Sequence, residues 1–202
     1  HAQRALIDHL GIRALHAVVG GSMGGMQALQ WIVEYPGFAK NAIIIAATAQ
    51  HSVQTIAFNE AGRRSIRGDN GWQGGDYHEH TSPDQGLSVA RMMAHITYLS
   101  DIGMEEKFGG DRRLNPSEDF EFSVQGYLDY QGKKFIERFD ANSYLKLTEA
   151  LDRFDLVGDQ GLAKAVSGVK TRTLVIAFSS DWLYTPRQNK QIVDALLQAG
   201  KD

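Results

Sequence analysis

A glycine-rich pentapeptide, Gly20-Gly21-Ser22-Met23-Gly24, constrains the fold of this chain more than any other feature. It follows residues 16–20, a short apolar run typical of a buried strand, and it leads into residues 24–35, where apolar side chains recur at helical spacing. In this position the pattern G-x-S-x-G predicts a sharp turn from a strand into a helix, with the serine at its tip. We expect the small residues on either side of Ser22 to let the strand and the helix approach each other.

Two further apolar runs predict the other strands of the core. Residues 41–46 and 173–178 are rich in β-branched side chains and do not alternate with polar ones, which favours parallel strands that are covered on both faces. Thr185 and Pro186 are typical of the N-cap and the first position of a helix, which we expect to end near Leu197. Because strands and helices alternate, the predicted fold class is α/β with a mostly parallel sheet.

The middle of the chain has a different character. Glycine, aspartate and histidine are concentrated in residues 68–86, which predicts a long loop, and the runs that follow it have helical spacing. We interpret this region as a helical lid inserted into the α/β core. The predicted segments are a first part of the core, the lid insertion and a second part of the core, at residues 1–49, 50–167 and 168–202.

Ser22 has the position of a nucleophile at the start of a helix. The helix dipole and the free N–H groups of the first turn favour negative charge that develops there, and the backbone N–H of Met23 is the expected oxyanion donor. The glycines do not fit the G-x-G-x-x-G dinucleotide pattern, and no lysine follows as a phosphate-binding P-loop requires. The alternative is a glycine-rich turn that serves only packing.

A serine nucleophile requires a base and a carboxylate that orients the base, and in α/β-hydrolases they follow in the order serine, acid, histidine. Asp181 comes just after the third predicted strand, so we expect it at the catalytic edge of the sheet; an ordinary turn aspartate is the alternative. All seven histidines lie at or before residue 95. We therefore expect the base to lie outside residues 1–202, in a protein truncated at both ends here, and this fragment to be a poor catalyst. His51 and His95 would break the order of the triad, and we expect them to be structural or to face the substrate.

The composition excludes several classes of function. A net charge of −3 and a pI near 6.2 provide no basic field for nucleic acid or an anionic membrane, and no apolar run approaches the ~20 residues that span a bilayer. The absence of cysteine excludes a thiolate zinc site and a cysteine nucleophile. The cluster His78-Glu79-His80 lies in a polar loop and is interpreted as solvated rather than as a metal site. We expect a cytoplasmic protein without a bound metal.

Several blocks of sequence together resemble the homoserine O-acetyltransferases, which are acyltransferases of methionine synthesis in the α/β-hydrolase superfamily. The resemblance extends over nearly the whole chain and is far more specific than the pentapeptide alone. The blocks are Val18–Trp31, Ala57–Glu60, Gly86–Met92, His95–Ser100, Tyr130–Gly132, Arg138–Tyr144 and Ser180–Leu183.

This resemblance implies a reaction and a set of roles. Ser22 would take the acetyl group of acetyl-CoA and pass it to the hydroxyl of L-homoserine in a ping-pong sequence, with Asp181 as the acid of the triad. Arg91 would bind the substrate carboxylate and Tyr98 would lie in the same pocket. No permanently bound cofactor is implied, and in this family the cap helices pair two subunits, so the apolar faces of residues 120–139 are a candidate homodimer interface, with lid core as the alternative.

The residues around Arg91 support a pocket independently. Arg91, His95 and Tyr98 fall on one stripe of the predicted helix, and a guanidinium suits bidentate binding of a carboxylate. A solvated stripe on a surface helix is the competing interpretation. Three alternatives for the whole protein remain open: succinyl transfer to homoserine, acylation of serine, and ester hydrolysis on the same scaffold. For residues 1–202 taken alone, a non-catalytic interaction protein is a further alternative.

Overall fold

The computed structural model describes residues 1–77, 81–110 and 120–200, which form two compact units. The core unit comprises His1–Gln50 and Phe154–Asp202, and the helical unit comprises His51–Arg153. Residues 154–167, which the sequence analysis assigned to the lid, thus belong to the core unit. The reason is a short antiparallel bridge between Gln50 and Asp155, next to which the N–H of Leu156 donates to the carbonyl of Ala49 at 2.9 Å.

The core unit contains the three predicted strands in a parallel sheet of order β1-β2-β3. The register aligns Gly21 with Ile45 and Ile45 with Ile176, so the carboxyl ends of all three strands lie at one edge. Its strands are β1 (Leu15–Gly21), β2 (Ala39–Ile45) and β3 (Arg172–Ile176), and its helices are α1 (Ala2–His9), α2 (Met23–Glu34), α8 (Leu162–Ala165) and α9 (Pro186–Gln198).

The helices of the core unit follow from local sequence signals. Thr185 caps α9 by accepting from the N–H of Gln188, whose side chain accepts in return from the N–H of Thr185, and Pro186 occupies the first turn as predicted. The apolar face of α2 is buried through Met26, Leu29 and Ile32.

The helical unit is built around a small apolar core. Helices α3 (Val53–Arg67) and α4 (Asp84–Tyr98) pack together, and α4 in turn packs against α6 (Ser123–Ile136). Their buried side chains include Ile66, Leu87, Ala90 and Phe135. The helices are α3 (Val53–Arg67), α4 (Asp84–Tyr98), α5 (Asp101–Phe108), α6 (Ser123–Ile136) and α7 (Ala141–Asp152), with a short 3-10 helix at Gln73–Gly75.

Within the described ranges, no helix has the length and apolar character that a membrane span requires. The same residues hold no group of three or more His, Cys, Asp or Glu side chains that could bind a metal ion. The cluster His78-Glu79-His80 lies outside the described residues.

Candidate active site

Ser22 occupies a strained backbone position between β1 and α2. Its φ of 54° and ψ of −122° lie in a region that residues other than glycine rarely adopt, at a cost of about 1–3 kcal/mol. Two backbone hydrogen bonds hold it there: its N–H donates to the carbonyl of Ile45 at 2.9 Å, and its carbonyl accepts from Met26 at 3.1 Å. The strand-to-helix turn predicted from the pentapeptide is therefore present.

Close packing between β1 and α2 requires glycine at particular positions. A Cβ on Gly20 would lie 2.0 Å from the carbonyl oxygen of Gly24, and a Cβ on Gly25 would lie 2.7 Å from the Cβ of Ala47. By contrast, a Cβ on Gly24 would meet no atom within 4 Å. The expectation that small residues are needed on both sides of the serine thus holds for Gly20 but not for Gly24, whose place is taken by Gly25.

The side chain of Ser22 is available for chemistry. Ser22 is exposed, and within the described part of the chain its Oγ makes no hydrogen bond. Met23 opens α2, and its N–H likewise finds no acceptor among the described residues. In an acyl transfer, a hydroxyl attacks the carbonyl carbon, and an N–H group donates to the oxyanion that then develops. Ser22 and Met23 provide such a hydroxyl and such an N–H side by side.

Asp181 follows β3 at the same edge of the sheet. The N–H of Ser22 bonds to Ile45 and the N–H of Ala46 bonds to Ile176 at 2.8 Å, so the ends of the three strands are joined in one ladder. Oδ1 of Asp181 accepts from the N–H groups of Leu183 and Tyr184, at 2.9 and 2.8 Å, which fixes the carboxylate in its turn. Its Oδ2 has no hydrogen bond to any residue that the structure describes, and it can accept from a histidine.

A buried amide that the sequence analysis overlooked joins two loops at this edge. Asn189 of α9 accepts from the N–H of Ala47 at 3.3 Å and donates to the carbonyls of Tyr184 and Thr185 at 3.0 and 3.1 Å. Ala47 follows Ala46, which has a φ of 46°, and Tyr184 belongs to the turn that holds Asp181. The sequence does contain a signal for this role, because Asn189 is a polar residue at a position whose helical spacing places it on the buried face of α9.

We expect Asn189→Ala to lower the free energy of unfolding by about 2–3 kcal/mol, because the N–H of Ala47 loses the amide oxygen that accepts from it and the carbonyls of Tyr184 and Thr185 lose the buried amide donor between them. Acyl transfer should weaken as well, since the turn around Asp181 loses its support. Denaturant unfolding and the pre-steady-state acylation rate measure the two effects. The matched control is Gln191→Ala, an exposed amide on the same helix; equal stability of the two variants would contradict the role of Asn189.

In the helical unit, Arg91 is held by aromatic rings rather than by carboxylates. Its guanidinium carbon lies 4.6 Å from the ring centroid of Phe135 and 5.5 Å from that of Tyr98, and its Nη1 is 3.5 Å from the Tyr98 hydroxyl. Among the described residues it forms no ion pair, whereas the buried Arg63 pairs with both Glu60 and Asp152. The stripe predicted on α4 is therefore not simply a solvated surface, because Arg91 is only partly exposed and stacks on an aromatic core.

Two tyrosines add hydroxyl groups near Arg91. Tyr98 is exposed, and Tyr144 packs edge-on against Phe135 with ring centroids 6.3 Å apart. Burial, and then the neighbouring Tyr98, raises the pKa of Tyr144 to about 12, so its phenol is neutral at physiological pH. The neutral Tyr144 therefore does not compensate the positive charge of Arg91.

The two candidate histidines both lie in the helical unit. Nδ1 of His51 is 3.1 Å from Oδ1 of Asp152, and burial lowers the pKa of His51 more than that hydrogen bond raises it, so a neutral ring donates to the carboxylate. Asp152 also accepts from Arg63 and Asn59, at 2.6 and 2.7 Å. His51 is thus part of a buried network that joins the two ends of the helical unit, as expected of a structural residue.

Comparison with known proteins shows the family to which the chain belongs. The model of the α/β-hydrolase fold family matches residues 1–200, and the chain belongs to this family. The predicted fold class is confirmed by this match and by the parallel sheet with flanking helices.

The resemblance to homoserine O-acetyltransferases is also confirmed. The homoserine O-acetyltransferase of Methanococcoides burtonii is 54% identical over 97% of this chain, which covers 41% of that protein. The crystal structure of the homoserine O-acetyltransferase from Bacillus anthracis is similar with a TM-score of 0.87 and 31% identity, over 99% of this chain and 55% of that one. The crystal structure of esterase E22 has a TM-score of 0.89 at 27% identity, over 100% of this chain and 56% of its own. The chain thus spans about half the length of the proteins that it matches.

Proposed function

We propose that the whole protein carrying this sequence is an acyltransferase that moves an acetyl group from acetyl-CoA to the hydroxyl of L-homoserine. The observation that carries the proposal is the exposed Ser22 in its strained turn, next to the unbonded N–H of Met23. The similarity to proteins named homoserine O-acetyltransferase supports homoserine as the acceptor and acetyl as the transferred group.

In the first half-reaction, Oγ of Ser22 attacks the carbonyl carbon of acetyl-CoA as a histidine base takes its proton. The N–H of Met23 donates to the oxyanion of the tetrahedral intermediate, and one such donor contributes about 3 kcal/mol of transition-state stabilisation. The carbon–sulfur bond then breaks, CoA leaves as the thiol with that proton, and Ser22 carries the acetyl group. Asp181 orients the base through its unbonded Oδ2 and holds it in the required tautomer.

In the second half-reaction, the hydroxyl of homoserine gives its proton to the base and attacks the acetyl-serine. The new ester is released as O-acetylhomoserine and Ser22 regains its proton. Arg91 binds the carboxylate of homoserine, and Tyr98 lies beside it; this assignment is supported by the absence of a carboxylate partner for Arg91 among the described residues.

Replacing Arg91 with alanine should lower kcat/KM for homoserine by about 100-fold, because a charge-assisted contact to the substrate carboxylate is lost. Acylation should persist, since acetyl-CoA does not use this arginine. The measurement compares the burst of CoA release without homoserine with steady-state formation of O-acetylhomoserine.

Arg64→Ala provides the matched control for this experiment. Arg64 is an exposed arginine of the same unit whose one ion pair within the described residues is with Glu60, and its loss should change neither half-reaction. If Arg91→Ala acetylated homoserine as the wild-type protein does, the carboxylate assignment would be wrong.

Ester hydrolysis is the second candidate, and the similarity to esterase E22 favours it. Water and homoserine compete for the same acetyl-serine, so the two functions differ in the acceptor. Incubation with acetyl-CoA and homoserine separates them: an acetyltransferase yields O-acetylhomoserine, and an esterase yields acetate at a rate that homoserine does not change. Succinyl-CoA and L-serine in the same assay test the related transfers.

Two further properties of the whole protein are part of the proposal. Tyr130 of α6 is 56% exposed and Phe122 is 38% exposed, which supports a homodimer formed through the helical unit. Sedimentation equilibrium tests this, and a monomer would contradict it.

Localisation in the cytoplasm, where acetyl-CoA is available to a biosynthetic enzyme, is tested by cell fractionation.

A further inference from the structure

His95 is a buried histidine with one ring nitrogen that has no partner in the described part of the chain. It lies on α4 with only 9% of its surface exposed. Its Nδ1 is 2.9 Å from the hydroxyl of Tyr127 on α6, whereas its buried Nε2 makes no hydrogen bond to any described residue. A buried polar atom without a hydrogen-bond partner costs about 1–3 kcal/mol, so this ring nitrogen calls for an explanation.

The surroundings of His95 favour a neutral ring. Burial, and then the cations Arg91 and Lys107, lowers the pKa of His95, so the ring carries one proton at physiological pH. Nζ of Lys107 lies 4.2 Å from the ring centroid of Tyr127, and a cation on a phenol ring favours its hydroxyl as a hydrogen-bond donor. When the Tyr127 hydroxyl donates to Nδ1, the single proton of the neutral His95 ring lies on Nε2.

Arg91 presents a second buried donor on the same face of the helix. Its Nε is also buried and makes no hydrogen bond to the described residues. Arg91 and His95 are four residues apart, so their side chains are neighbours on one face of α4. The helical unit thus holds two buried nitrogen atoms on one face of α4, Nε of Arg91 and Nε2 of His95, and neither has a partner in the described ranges.

We propose that His95 is a substrate-positioning residue whose Nε2–H donates to the carboxylate of the amino-acid acceptor, beside the guanidinium of Arg91. The inference rests on the proposed function and extends it to a residue that the resemblance does not assign. One oxygen of the carboxylate accepts from Arg91 and the other from His95, so both orphan donors are satisfied when substrate binds. Tyr127 acts through His95 by holding its tautomer.

Two substitutions of His95 separate this role from a structural one. The amide of asparagine reaches about the position of Nδ1 and can keep the contact with Tyr127, whereas the amide of glutamine reaches about the position of Nε2 and can keep a donor to the substrate. His95→Asn should lower kcat/KM for L-homoserine by about 30-fold, mainly through KM, and His95→Gln should stay within about 3-fold of the wild-type protein. The burst of CoA release should be unchanged in both.

An acceptor without a carboxylate gives the decisive comparison. With 3-aminopropan-1-ol in place of homoserine, His95→Asn and the wild-type protein should transfer acetyl groups equally fast, because the group that His95 contacts is absent. His9→Asn is the matched control, since His9 is exposed on α1. Thermal unfolding of each variant shows whether any of them has lost its fold.

The outcomes distinguish this inference from the function on which it rests. If the wild-type protein forms no O-acetylhomoserine, the proposed function is wrong. If the wild-type protein is active and depends on Arg91, but His95→Asn leaves KM for homoserine unchanged or slows both acceptors equally, the role of His95 alone is overturned. A loss restricted to homoserine and restored by glutamine supports it.

Discussion

Replacing Ser22 with alanine is expected to abolish acetyl transfer, lowering kcat about 10⁴-fold or more. The acetyl group is carried by the Oγ atom, so its removal leaves neither half-reaction a covalent intermediate. The burst of CoA release should disappear together with formation of O-acetylhomoserine. Rapid mixing with acetyl-CoA measures the first, and steady-state product analysis measures the second.

The fold of the Ser22→Ala variant should be unaffected, because the Oγ makes no hydrogen bond within the described residues. Its melting temperature should therefore match that of the wild-type protein. Ser167→Ala, which removes an exposed serine hydroxyl of the same unit, serves as the control and should retain full activity. A Ser22→Ala protein that still released CoA in a burst would show that another residue is the nucleophile.

The α/β core could be predicted from sequence because its signals are local. Each strand is an apolar run of about the length that a buried parallel strand needs, and Thr185-Pro186 marks the start of α9 by chemistry that depends on neighbouring residues alone. The family resemblance identified the protein family to which this core belongs, and the spacing of apolar residues alone could not have done so.

Helix α3 could not be predicted in the same way. Its buried face includes Thr55 and Arg63 as well as Ile66, so the apolar stripe that identifies a helix is interrupted. Arg63 is satisfied by Asp152, which lies 89 positions further along the chain. A buried polar network between distant residues leaves no periodic pattern, and only the Ser52 N-cap could have indicated where this helix begins.

In the candidate site, too, some features follow from local sequence and others depend on contacts between distant residues. The strained turn at Ser22 follows from a five-residue pattern, and the edge on which Asp181 lies follows from the direction of a parallel strand. The contribution of Asn189 depends on two loops that come together only in the folded core unit. Which glycines are indispensable also depends on how closely β1 and α2 pack, and the letters of the motif do not distinguish Gly20 from Gly24.

Gly20→Ala is the substitution with the largest expected effect on stability. The new methyl group would lie 2.0 Å from the carbonyl oxygen of Gly24 and 2.8 Å from the backbone nitrogen of Gly25. These are backbone atoms of the first turn of α2, which cannot turn aside as a flexible side chain would. We expect the free energy of unfolding to fall by about 3 kcal/mol or more, and the melting temperature by about 10 °C.

Gly24→Ala in the same pentapeptide is the control that separates crowding from a general intolerance of the turn. Its Cβ would meet no atom within 4 Å, and alanine is favoured over glycine in a helix by about 1 kcal/mol, so this variant should be as stable as the wild-type protein or slightly more stable. Thermal and denaturant unfolding compare the two. Equal stabilities would mean that β1 and α2 do not pack as closely as the structure has them, and the strained position of Ser22 would then lose its physical cause.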